Sequence, residues 1–120
     1  MRDIRFRAWD KNLKEMAFVD EINWKKGIFW ANWSKGGAVG RHLELSFEPS
    51  LMEFTGLLDK NGVEIYEGDI VKTPTAEVEV KFEYGKFEPI DASGEYGWLH
   101  NQLEVIGNIY ENKELLKETK

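Results

Sequence analysis

From Glu77 to Glu83 charged and apolar residues alternate without a break. Val78, Val80 and Phe82 share one parity; Glu77, Glu79, Lys81 and Glu83 share the other. A period of two sorts these residues onto two sides only if the backbone is a pleated strand. Residues 4–9 repeat the pattern, with Ile4, Phe6 and Ala8 against Arg5, Arg7 and Trp9, and so do residues 43–47. Short apolar runs at 16–19, 28–33, 51–58, 63–66, 70–72, 87–90 and 103–106 read as further strands. Turn formers separate them: Asp10-Lys11-Asn12, Ser34-Lys35-Gly36-Gly37, Asp59-Lys60-Asn61-Gly62 and Tyr84-Gly85-Lys86. Pro49 closes the strand at 43–47, because proline cannot donate to a central ladder. A single helix is expected near the end, over 113–119, with Asn112 as its cap and Glu114 in its first turn. The expected class is mainly β: short antiparallel strands in a barrel-like or curled-sheet arrangement with a short C-terminal helix. No internal repeat or low-complexity tract is evident.

The turn Asp59-Lys60-Asn61-Gly62 admits two geometries. Asn-Gly suggests a two-residue type I′ hairpin, which sets Asp59 opposite Glu64, and like charges there are unfavourable. A type I turn with Gly62 in the left-handed bulge position sets Leu57 opposite Ile65 instead. The second is preferred.

The chain has 120 residues and a mass of 14.0 kDa. That length suits one domain, or two fused β subdomains meeting near residue 50, and allows about two-thirds of the unfolded surface to be buried. The absence of cysteine excludes disulfides and thiolate metal sites. The charged N-terminus lacks a signal peptide's apolar core, and no apolar run is long enough for a membrane span. A cytoplasmic protein with no membrane contact is therefore expected. Net charge is −6, but it is uneven. Residues 1–42 hold nine basic and five acidic residues, a net of +4, whereas residues 43–120 carry a net of −10. Unlike ends favour head-to-tail self-association or a basic binding face with an acidic back.

Three constellations bear on chemistry. The acids Asp59, Glu64, Glu67 and Asp69 suggest a carboxylate metal site, as in a small metal-dependent hydrolase. Glu64 and Glu67 nevertheless fall on opposite faces of a strand, and no calcium-loop spacing is present. Solvated turns and strand faces are the expected reading. The glycine stretch Ser34–Arg41 lacks the Gly-Lys-Ser/Thr of a phosphate loop, and no serine stands in a nucleophile elbow. No catalytic residue, metal ligand or cofactor is therefore assigned, and the protein is expected not to be an enzyme. The third constellation is a basic, tryptophan-rich segment. Lys25, Lys26, Trp30, Trp33, Lys35 and Arg41 combine cations for phosphates with aromatic faces for bases, as single-stranded nucleic-acid binding requires. Tryptophans on strands also pack cores and subunit interfaces. These six are the candidate nucleic-acid or partner-binding residues.

Three blocks, MRDIRFRAWDKNLKEM, LMEFTGLLDKNGVEIYEGDIVK and LEVIGNIYENKELL, span 52 of the 120 positions. Together they resemble the YopX family of phage and prophage proteins. The central block is the most specific, because FTG, DKNG and EIYEGDIV followed by lysine occur together. Lys113 departs from the family, which commonly carries proline there. The resemblance implies a mainly β fold, a phage or prophage origin in a Gram-positive host, and self-association; it implies no reaction. The expected function is a non-enzymatic accessory protein acting through self-assembly and partner binding, the partner being a host or phage protein or nucleic acid. A single-stranded nucleic-acid binder is the alternative.

Overall fold

The computed structural model describes residues 4–10, 14–23, 25–26, 28–32, 40–44, 51–83, 85–91 and 97–119. The chain is mainly β, with a strongly curled half-barrel sheet. It divides into two units, Ile4–Glu53 and Phe54–Lys120, and passes from one to the other within a strand.

In the first unit the strands are β1 (Phe6–Asp10), β2 (Glu15–Asn23), β3 (Ile28–Asn32), β4 (Gly40–Glu44) and the start of β5 (Leu51–Leu58). Their order is β4-β3-β2-β1-β5, antiparallel throughout. Ala8 and Ala17 lie opposite each other, fully buried, and Val19, Ile22 and Leu51 pack around them. β1 departs from the half-buried strand expected: Ala8 is buried on one side, and Arg7 and Trp9 are buried on the other. The register explains it. Arg7 is flanked by Phe18 and the buried Met52, and the aliphatic stem of an arginine packs well against such neighbours.

The second unit holds the rest of β5, then β6 (Glu64–Tyr66), β7 (Asp69–Lys72), β8 (Glu77–Glu79), β9 (Lys81–Glu83), β10 (Lys86–Glu88) and β11 (Glu104–Asn108). β5 pairs with β6, β7 lies between β11 and β8, and β9 pairs with β10. Ile65, Val71, Val80, Phe87, Ile90 and Leu103 form its core. Burial of this apolar set is the main drive for the unit, at roughly 25 cal/mol per Å². The alternating segment 77–83 is two strands rather than one. At Val80 the N–H donates to the Asp69 carbonyl and the carbonyl accepts from the Gly68 N–H. The strand thereby leaves β7 and meets β10 on its other edge.

The 57–64 hairpin takes the type I form. The Gly62 N–H donates to the Asp59 carbonyl, Gly62 has φ +83°, and Asp59 and Val63 close the loop. Leu58 faces Glu64, the register that puts Leu57 opposite Ile65. Beyond it the register shifts, with φ +86° at Gly56, so that Phe54 meets Tyr66.

The expected terminal helix is instead a 3-10 segment, Lys113–Thr119. Asn112 does not cap it through its side chain. Its Oδ1 turns back to accept the Asn108 N–H, while Asn108 Oδ1 accepts from Tyr110 and Glu111. This arrangement needs a glycine at 107, where a Cβ would meet Asn112 Oδ1 at 2.5 Å. Gly107→Ala should therefore cost about 1–3 kcal/mol through overpacking, read as a lower urea midpoint. An unchanged midpoint would show that Asn112 swings clear without loss.

Candidate functional site

Of the six basic and aromatic candidates, Lys25, Lys26, Trp30 and Arg41 fall among the described residues. Lys25 and Lys26 lie exposed in the turn between β2 and β3, where the Lys26 N–H donates to Asn23 Oδ1. Trp30 stands in β3 between Glu21 and His42. Arg41 stands in β4 opposite Ala31. Arg41 also lies three residues along the ladder from Ile28, roughly 10 Å at the usual strand rise. Trp33 and Lys35 lie outside the described residues, as does Trp24.

The acids are placed by architecture. Asp59 and Asp69 are buried rather than solvated, because backbone N–H groups supply their partners. Asp59 Oδ1 accepts from Asn61 at 2.7 Å and Val63 at 2.9 Å, and its Oδ2 accepts from Val105 at 2.8 Å. Burial pushes this carboxyl up. The three N–H groups, Val105 foremost, and the Lys60 charge outweigh burial and hold it below the ordinary carboxylate range. Asp69 Oδ2 accepts the Tyr66 N–H, fixing the turn through Glu67 and Gly68. Beside Asp59, His100 Nδ1–H donates to the Leu58 carbonyl at 2.7 Å, since a carbonyl can only accept. Among the described residues no group of three histidines or acids is placed to hold a metal.

The surface that stands out is the β9–β10 hairpin, whose strands and turn are readable in the sequence but to which sequence reasoning gave no role. Its signal was available: the triplet Lys-Phe-Glu occurs twice, at 81–83 and 86–88, around Tyr84-Gly85. Folding back on itself, the repeat matches Lys81 with Glu88, Phe82 with Phe87 and Glu83 with Lys86. Gly85, at φ +80°, supplies the left-handed turn residue. The two rings meet edge to face, 4.9 Å between centroids. Their burial differs sharply: Phe87 is 8% exposed and belongs to the core, whereas Phe82 is 52% exposed. Beside Phe82 opens a groove of about 380 Å³, with Leu57, Phe87 and Ile90 among its walls. Glu77, Glu79, Lys81, Glu83 and Glu88 line a second hollow of about 410 Å³.

The YopX protein family matches over residues 5–117. The chain belongs to the YopX family. A related solved structure is that of protein EF1440 from Enterococcus faecalis, 28% identical, with a TM-score of 0.62 over 97% of this chain and 99% of that one. No curated protein matches. Three sequence segments have clear structural uses in this chain. DKNG is the turn latched by Asp59, EIYEGDIV is β6, the Asp69-held turn and β7, and GNIYEN is the Asn108–Asn112 lock. Among the described residues of this YopX-family chain no helix is long and apolar enough to cross a membrane.

Proposed function

We propose that this YopX-family chain is a non-enzymatic accessory protein of phage or prophage origin, working inside the bacterial cell through self-assembly and partner binding. The observation that carries the reading is Phe82, a large aromatic half exposed on a strand edge beside an apolar groove. Exposed apolar surface of this kind favours association with another protein surface. The acids support it from the other side. Asp59 and Asp69, two of the four clustered acids, are engaged by backbone donors within turns. No cofactor enters the reading.

Light scattering on the full chain tests it. The expected mass is a multiple of 14.0 kDa. A mass of one chain, unchanged over a wide concentration range, would overturn it. In the same solution, single-stranded oligonucleotide at low salt should leave tryptophan fluorescence unchanged. Quenching that fades steeply as salt rises would transfer the function to nucleic-acid binding through the basic segment.

A further inference from the structure

The geometry points to the outer edge of β9 as a two-fold contact between copies of this chain, in which Lys81-Phe82-Glu83 pairs antiparallel with itself. This rests on the self-assembly reading above and gives it a location. The backbone supplies the first argument. In a hairpin with a two-residue connection the flanking pair, Glu83 and Lys86, is of the hydrogen-bonded kind, and the next pair is not. The N–H and C=O of Phe82 therefore point away from β10. On that edge Val80 is covered by Gly68 and Asp69, and among the described residues β9 has no strand neighbour other than β10. Phe82 thus presents one open donor and one open acceptor, the minimum for strand addition.

Charge selects the occupant. Antiparallel to Lys-Phe-Glu, the complementary partner reads base, aromatic, acid from its own N-terminus, which is Lys-Phe-Glu again. The chain already uses this match internally, since β10 carries the same triplet and pairs with β9 in that register. A second copy centred on Phe82 sets Lys81 against Glu83 of its mate, twice. A slip of one residue sets Phe82 against Lys81 or Glu83, whose backbone N–H and C=O already face β10; a slip of two sets Lys81 against Lys81 or Glu83 against Glu83, and an in-register parallel arrangement does both. Like charges directly opposite are unfavourable, so one register survives. The arrangement is isologous and closes at two copies, as a two-fold axis requires. It continues the Phe82–Phe87 row into four rings, at the ~4.8 Å strand spacing.

A charge-reversal mixing experiment tests this. Lys81→Glu alone sets two glutamates against two glutamates of the mate, and Glu83→Lys alone sets two lysines against two lysines. Each variant by itself should assemble about tenfold more weakly than wild type, with the light-scattering mass at a fixed low concentration falling from that of two chains toward that of one. An equimolar mixture restores both opposite-charge pairs across the contact and should recover the wild-type mass. Within each chain the mismatch against Glu88 or Lys86 persists in the mixture, so recovery cannot come from the hairpin itself. Wild-type assembly in either variant alone, or a mixture no heavier than its components, would overturn the β9 contact while leaving self-assembly standing. A monomeric wild type would overturn both.

Discussion

Asp59→Ala should lower the stability of the fold by about 4 kcal/mol and the melting temperature by roughly 15 °C, the largest loss expected from any single acid here. Three backbone N–H groups, on Asn61, Val63 and Val105, lose their acceptor together, and the first two lie in the turn that Asp59 itself opens. Asp59→Asn separates charge from shape. Its amide oxygen can still accept from Asn61 and Val63, but its NH2 then faces the Val105 N–H, donor against donor. Most of the loss should therefore remain. The wild-type carboxyl also predicts a pH dependence. Its pKa is lower in the folded chain than in the unfolded one. Its stabilisation is therefore complete above about pH 5 and disappears as pH falls through the folded-state value. The stability gap between wild type and Asp59→Asn should narrow steadily between pH 5 and pH 2. A variant melting within about 3 °C of wild type, or a gap indifferent to pH, would mean that the carboxylate is not the latch.

Leu103→Ala should cost about 3 kcal/mol, near 12 °C in melting temperature. Leu103 is fully buried with Ile65, Val71 and Val80. Its carbonyl also accepts the Lys60 N–H, so backbone bonding at the same residue opposes collapse into the void. Chemical denaturation would show the loss as a lower midpoint with an unchanged slope. A loss below about 1 kcal/mol would mean that Trp98 and Val105, which also border this core, move in to fill the space.

Much of this architecture is readable from period and punctuation. Val78, Val80 and Phe82 announce a strand, and DKNG announces both a turn and its type, because the like-charge pairing of the alternative geometry is unfavourable. The exceptions have local causes. Val80 splits one alternating run into two strands because its backbone is recruited by Gly68 and Asp69, a contact across the chain that leaves no mark on periodicity. Asp59 and Asp69 are wet by composition and buried in fact; the N–H groups that solvate them are not visible as residue types. Arg7 lies on the polar parity of β1 yet is buried, since Phe18 and Met52 are brought beside it by pairing. Asn112 looks like a helix cap but serves the preceding turn. For the candidate surface, the emphasis on tryptophan and lysine drew attention to residues 25–41. The repeated Lys-Phe-Glu, three residues long, carried its information only once its halves were seen to face each other.

The latch at Asp59 also sets an order of events during synthesis. One oxygen is engaged by Asn61 and Val63, made within a few residues of it, but the other waits for Val105, 46 residues later. β7 waits likewise: β8 follows it at once, whereas β11 is the last of the described strands to leave the ribosome. While the chain is being elongated, then, β7 has one edge uncovered and Asp59 is half engaged, a state with exposed apolar surface and an open strand. The nascent chain is most vulnerable to misassembly in this interval, and the arrival of residues 103–108 ends it.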